Sequence, residues 1–223
     1  MGSVAPIKGV IFDLDGTLLD TIEDITKAAN RVFLERGTAP FSAPEVKALV
    51  GEGAEEFVRK AFVLRAVPPP SAEDIAAFLR DYRRAYEACW RAHSRPYPGI
   101  PELLAELAGR GLRTAVLSNK SQTFTALMAE ELLVPHRFDI VHGARPGVPL
   151  KPDPAPALAI AAELGVPPPA WAFVGDTGID MATGRAAGMF AAGALWGFRT
   201  AEELRSNGAD VLLGSPLELL DSL

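Results

Sequence analysis

Cysteine is nearly missing from this chain of 223 residues: Cys89 is the only one. One thiol closes no internal disulfide, and the expected location is a reducing cytoplasm. Cys89 falls on a helical stripe, where packing is its expected role rather than nucleophilic attack. Histidine is scarce too. His93, His136 and His142 are scattered and lack zinc-site spacing. Basic charge is not in excess: 22 Lys and Arg stand against 28 Asp and Glu, for a net charge of −6. Without a basic stripe, nucleic acid is not expected as the main partner. No apolar run approaches a membrane span, and the stretch from Met1 to Pro6 lacks the charged-then-apolar layout of a secretory signal. No membrane association is expected. Internal repeats and low-complexity segments are absent from the sequence as well.

The chain does have enough apolar residues (48%) and enough length for a real core in one or two domains. Short apolar runs punctuate it at 9–14, 114–117, 138–141, 172–174, 190–195 and 211–213. Runs without polar alternation suit strands covered on both faces, as in parallel sheets. Helical patterns separate most of them. One from Pro101 to Arg110 ends at Gly111, and one from Ala155 to Leu164 ends at Gly165. This alternation predicts an α/β fold, a Rossmann-like three-layer α/β/α parallel sheet core with right-handed crossovers. From about Thr21 to His93 the rhythm breaks into helical spacing alone. Ile22, Ile25, Ala29, Val32 and Phe33 share one stripe, and Ser71 opens a long helix carrying Ile75, Phe78, Leu79, Tyr82, Tyr86 and Cys89. Pro68-Pro69-Pro70 reads as a helix breaker. The expected division is a core of 1–16 and 94–223 with an all-helical insertion of 17–93 after the first strand.

Asp13, Leu14, Asp15, Gly16 and Thr17 close the first apolar run. If the strand persists to Asp15, both carboxylates face one side of its end, and Gly16 permits a sharp turn away. Two such carboxylates repel each other unless they have a task or a cation; the natural division is one nucleophile and one proton carrier. A calcium loop fails on spacing. Counted from Asp13, its fifth, sixth and twelfth places hold Thr17, Leu18 and Asp24, and only the first could serve. Other polar residues also follow expected strands: Ser118-Asn119-Lys120, Lys151 in Lys-Pro-Asp-Pro, then Asp176 and Asp180. Ligands of open α/β sheets bind beyond the carboxyl ends of the strands, so these groups are expected on one rim. The glycines from Gly184 to Gly193 do not match the dinucleotide fingerprint.

The four segments Asp-Leu-Asp-Gly-Thr, Ser-Asn-Lys, Lys-Pro-Asp-Pro and Gly-Asp-Thr-Gly-Ile-Asp, in that order, resemble the motifs of the haloacid dehalogenase superfamily. The insertion resembles that superfamily's small helical cap. The stretches Val50-Gly51-Glu52-Gly53 through Lys60 and Trp196-Gly197-Phe198-Arg199 resemble phosphoglycolate phosphatases. The superfamily's dehalogenases lack an acid at the position of Asp15, and its transport ATPases have Lys there. The resemblance implies a phosphatase in which Asp13 attacks phosphorus to form an aspartyl-phosphate and Asp15 serves as acid and then base. Neighbouring carboxylates are expected to help keep Asp15 protonated as the acid. It implies Mg²⁺ as cofactor, held by Asp13, Asp176 and the backbone carbonyl of Asp15, with Asp180 acting through water. Lys151 would hold phosphate and nucleophile together, Ser118 and amides near Asn119 would donate to phosphoryl oxygens, and Thr17 would brace the first loop. Gly51, Glu52 and Arg59 are candidate substrate-binding residues of the cap. The expected substrate is a small phosphorylated metabolite, 2-phosphoglycolate first, turned over by a monomer or homodimer. An inorganic pyrophosphatase, a sugar-phosphate phosphatase or a β-phosphoglucomutase-like enzyme is the alternative. Phosphonate cleavage is less favoured, with only Lys47 and Lys60 as Schiff-base candidates, and a silent binding module is disfavoured by the retention of all the core motif residues.

Overall fold

The computed structural model describes residues 6–65 and 70–223. The stretch from Met1 to Ala5 and the pair Pro68-Pro69 lie outside them. The chain runs through β1 (Gly9–Phe12), β2 (Leu19–Asp20), α1 (Ile22–Glu35), α2 (Ala43–Leu49), α3 (Ala54–Leu64), α4 (Ala72–Glu87) and β3 (Arg95–Pro96). It continues through α5 (Ile100–Gly109), β4 (Arg113–Ser121), α6 (Gln122–Leu132), β5 (Ile140–Ala144), α7 (Ala155–Glu163), β6 (Trp171–Gly175) and α8 (Gly178–Ala186). It closes with β7 (Phe190–Ala194), α9 (Ala201–Ser206) and β8 (Val211–Leu213). Two compact units result: residues 1–19 with 96–223, and residues 20–95.

The first unit is built on a six-stranded sheet in the order β5-β4-β1-β6-β7-β8, every adjacent pair parallel. Helices cover both sides, which is why these strands read as unbroken apolar runs rather than alternating ones. Val10, Ile11 and Phe12 are wholly buried. Ile11, Ala115, Leu117, Trp171 and Phe173 pack with Ala157, Ile160 and Ala161 of α7, while Met181, Ala191 and Leu204 form a second cluster. The strand order reverses direction at β1: the chain leaves it for β4 on one side and later reaches β6 on the other. The carboxyl end of β1 therefore lies at a topological switch point, where a crevice opens.

All six expected strands are present. β4 is the one that differs most, extending to Ser121 with a register shift against β5 between Leu117 and Ser121. That irregularity turns the polar Ser118-Asn119-Lys120 segment into part of the strand end.

The second unit is helical, α1 to α4, apart from the chain ends that join β2 and β3. Ser42 and Ser71 close capping boxes with Glu45 and Asp74. Phe33 anchors the interior, its ring 4.8 Å from Phe41 and 4.6 Å from Phe78. Asp24 of α1 is fully buried and accepts hydrogen bonds from the His93 and Ser94 amides and the Ser94 hydroxyl. Burial alone would raise its pKa, but these bonds outweigh it and hold the carboxyl below its ordinary value. Cys89 is half-buried against the carbonyls of Ala85 and Asp24, and burial pushes its thiol pKa up.

Candidate active site

β1 ends at Phe12, three residues short of including Asp15. The Asp13 amide still donates to Val174 O at 2.9 Å, so the strand's pairing carries Asp13 to the rim. Beyond it the chain folds back: the amides of Leu18 and Leu19 both donate to Leu14 O, and Gly16 N donates to Leu19 O. Gly16 takes φ +85°, and a side chain there would collide with the Asp176 carboxylate. The turn, rather than strand alternation, brings Asp15 to the site.

Asp13 reaches Lys151 Nζ at 2.9 Å, and the same ammonium donates to Asp180 Oδ1 at 2.7 Å. Lys151 is 4% exposed. Its loop is fixed by Asn119, whose side chain donates to Lys151 O and accepts from Lys151 N, both at 2.9 Å. Asp180 Oδ2 accepts from the Thr177 amide at 3.0 Å and its hydroxyl at 2.7 Å, a capping box at the start of α8. Asp176 is fully buried. Its Oδ1 accepts from Thr17 Oγ1 and its Oδ2 from the Phe198 amide, each at 2.9 Å. Asp15 is gripped by Lys120, whose Nζ lies 3.0 and 3.2 Å from its two oxygens. Ser118 Oγ accepts from the Lys120 amide at 3.3 Å.

Among the described residues, oxygens of Asp13, Asp176 and Asp180 come within 4.8 Å of one another. Counting Asp15, four carboxylates face two ammonium groups, Lys120 and Lys151. With all four ionised, the negative charges exceed the positive by two, the charge of one divalent cation. Burial, helped by the Asp180 and Asp15 charges and opposed by Lys151, raises the Asp13 pKa from 3.8 to about 6. Burial and the charges of Asp180 and Asp13 push Asp176 well above its ordinary value. Burial would lower the pKa of Lys151, but its two carboxylate partners more than reverse this and keep it charged. A hard cation with oxygen ligands, as Mg²⁺ is, fits this donor set.

The repulsion among these carboxylates falls on buried Asp13 and Asp176, while Asp15 is paired with the Lys120 ammonium. Sequence reasoning missed the Asn119 grip on Lys151 and the approach of Trp196 and Phe198 to the first loop. A signal existed for one further contact: Thr177-x-x-Asp180 is a capping-box pattern. None existed for Trp196 Nε1 donating to Thr17 O at 2.9 Å, across 179 positions. Gly51, Glu52 and Arg59 belong to the helical unit. There Gly51 adopts φ +127°, Glu52 pairs with Lys60 and Arg59 pairs with Glu55 at 2.8 Å.

Comparison with known proteins bears on this geometry. A profile described as haloacid dehalogenase-like hydrolase matches residues 10–194. The chain is 33% identical to an N-acetylmuramic acid 6-phosphate phosphatase of Pseudomonas aeruginosa, covering 97% of this chain and 95% of that one. It is also 33% identical to a phosphoglycolate phosphatase of Nitrosospira multiformis, over 96% and 94% of the two chains. The crystal structure of a predicted phosphoglycolate phosphatase from Lactobacillus delbrueckii subsp. bulgaricus superimposes with a TM-score of 0.91 at 29% identity, covering 97% of this chain and 98% of that one.

Proposed function

The chain belongs to the haloacid dehalogenase-like hydrolase family, and within it we propose a Mg²⁺-dependent phosphatase of small phosphomonoesters, 2-phosphoglycolate first. It is a phosphoric monoester hydrolase, as its named relatives are. The observation that carries the finer reading is the single buried constellation of Asp13, Lys151, Asp176 and Asp180 beside the Lys120-paired Asp15.

In this reading an Asp13 oxygen attacks phosphorus, and the bond from phosphorus to the leaving alkoxide breaks. Asp15 gives that alkoxide its proton. A water molecule then attacks the phosphorus of the aspartyl-phosphate, Asp15 takes the water's proton, and Asp13 is released with inorganic phosphate. Lys151 holds the phosphoryl oxygens against Asp13, and Ser118 with the amides near Asn119 donates to them. Asp13, Asp176 and the Asp15 carbonyl would hold Mg²⁺, with Asp180 supporting through water. When bound, the ion supplies positive charge that offsets the dianionic phosphate and favours ionised carboxylates. Thr17 braces Asp176.

Phosphoglycolate carries a carboxylate besides its phosphate, and so does N-acetylmuramic acid 6-phosphate. Both names attached to the relatives therefore favour a substrate with a second anionic group, which Arg59 or Lys60 of the helical cap, 17–93, would meet beside Gly51 and Glu52. A carboxylated sugar phosphate is the second reading, favoured by the Pseudomonas aeruginosa relative. Among the described residues no helix is long and apolar enough to cross a membrane. The lone Cys89 supports a reducing compartment, the cytoplasm, and the working form is a monomer or homodimer.

The test is a panel of phosphomonoesters assayed with Mg²⁺ and with a chelator: phosphoglycolate, N-acetylmuramic acid 6-phosphate, simple sugar phosphates, and pyrophosphate as the outlier. The expected result is Mg²⁺-dependent turnover with phosphoglycolate preferred. Equal rates across the panel, or turnover indifferent to chelation, would contradict it.

A further inference from the structure

We propose that the segment Trp196 to Phe198, in the loop after β7, is a clasp that positions Asp176 for the metal. Three contacts carry this. The Phe198 amide donates to Asp176 Oδ2 at 2.9 Å. The Trp196 indole donates to Thr17 O at 2.9 Å, and the Thr17 hydroxyl donates in turn to Asp176 Oδ1 at 2.9 Å. Gly197 between them has no room for a side chain: a Cβ would collide with Asp176 and with Gly16 O. The loop thus seals onto Asp176 and onto the turn after β1 together.

The physical consequence concerns orientation. Asp176 leaves the end of β6 and has two flexible torsions, so nothing in β6 itself fixes where its oxygens point. One donor on each oxygen does, and it leaves each with a further lone pair for a cation. Partners of this kind, which do not touch the metal, set ligand direction and affinity. Phe198 contributes through its main-chain amide. Trp196 and Gly197 contribute through groups that no other residue supplies in the same place, the indole N–H and the missing Cβ.

The inference rests on the metal-binding reading of the acidic cluster, and the experiment separates the two. Mg²⁺ affinity is measured by calorimetry on the full chain without substrate, for wild type, Gly197→Ala and Trp196→Phe. Circular dichroism and melting in chelator report the fold. The clasp predicts an affinity about 10- to 100-fold weaker in Gly197→Ala and about two- to tenfold weaker in Trp196→Phe, which loses one hydrogen bond. The rise in melting temperature that Mg²⁺ produces shrinks in the same order, which a merely structural role would not bring about. Should Gly197→Ala fail to fold, Trp196→Phe decides alone. Folded variants that bind Mg²⁺ as wild type does overturn the clasp and leave the metal site standing. A wild-type chain that binds no Mg²⁺ overturns both.

Discussion

Replacing Asp13 by Asn should abolish turnover and, at neutral pH without metal, make the protein more stable. Asp13 is 6% exposed, and its pKa rises from 3.8 to about 6 on folding because burial and the nearby carboxylates outweigh Lys151. The folded chain therefore keeps this proton up to about pH 6, whereas the unfolded chain loses it near 3.8. Between those values the folded state binds more protons, so stability falls as pH rises. The contribution is fully present below about pH 3.8 and gone above about pH 6. At about 1.4 kcal/mol per pH unit, the difference amounts to about 3 kcal/mol. Asn is neutral at every pH and has nearly the same shape, so it escapes that loss. For a chain of this length about 3 kcal/mol is about 6–12 °C in melting temperature. The assay is thermal melting in chelator at pH 7.5 and at pH 4, with wild type and variant side by side. The variant should melt higher at pH 7.5 and the advantage should vanish at pH 4. Saturating Mg²⁺ should narrow or invert the difference, because wild type keeps the ligand the variant lacks. Equal melting at pH 7.5, or an advantage independent of pH, would refute the electrostatic account of the cluster.

Lys151→Met leaves Asp13 and Asp180 buried without their ammonium and should destabilise the protein by about 3–5 kcal/mol in urea titration; a change under about 1 kcal/mol would contradict the buried pairing. Asp176→Ala should weaken Mg²⁺ activation, and an unchanged metal titration would count against its role as ligand. Lys120→Met frees the Asp15 carboxylate from its two-point contact. The loss in kcat/KM should reach about 100-fold for alkyl phosphates, whose leaving group needs a positioned acid, and be much smaller for 4-nitrophenyl phosphate, whose leaving group departs unprotonated. Equal losses on both substrates would show that Lys120 does not act through Asp15. Arg59→Ala should raise KM for phosphoglycolate but not for the aryl phosphate; a parallel change in both would remove Arg59 from substrate recognition.

The sheet was readable because its strands are covered on both faces: Val10-Ile11-Phe12 and Trp171 to Val174 show no polar interruption, and glycines such as Gly111 and Gly165 end the intervening helices with positive φ. The helical unit was readable from its stripes and from Ser71, which caps α4 as expected. The rim residues Asp13, Lys151, Asp176 and Asp180 were readable because each follows a strand, and in a parallel sheet all strands end on one side. What escaped was whatever depends on two distant segments touching. Asn119 fixing the Lys151 loop, Lys120 gripping Asp15 and Trp196 reaching Thr17 have no periodicity to betray them. Strand alternation would set Asp15 beside Asp13 only while the chain stays extended. Here Leu14 O gathers the following amides into a turn instead.

The most direct test of the central claim is to look for the phosphoryl group on Asp13. Asp15→Asn should slow the second step, which needs a base for the attacking water, while an aryl phosphate can still drive the first. Acid-quenched Asp15→Asn protein, treated with 4-nitrophenyl phosphate and Mg²⁺ and fragmented in a mass spectrometer, should carry one phosphoryl group on Asp13 and none when Mg²⁺ is chelated. A phosphoryl group on another residue, or a variant that releases 4-nitrophenol in a burst yet carries none, would contradict it.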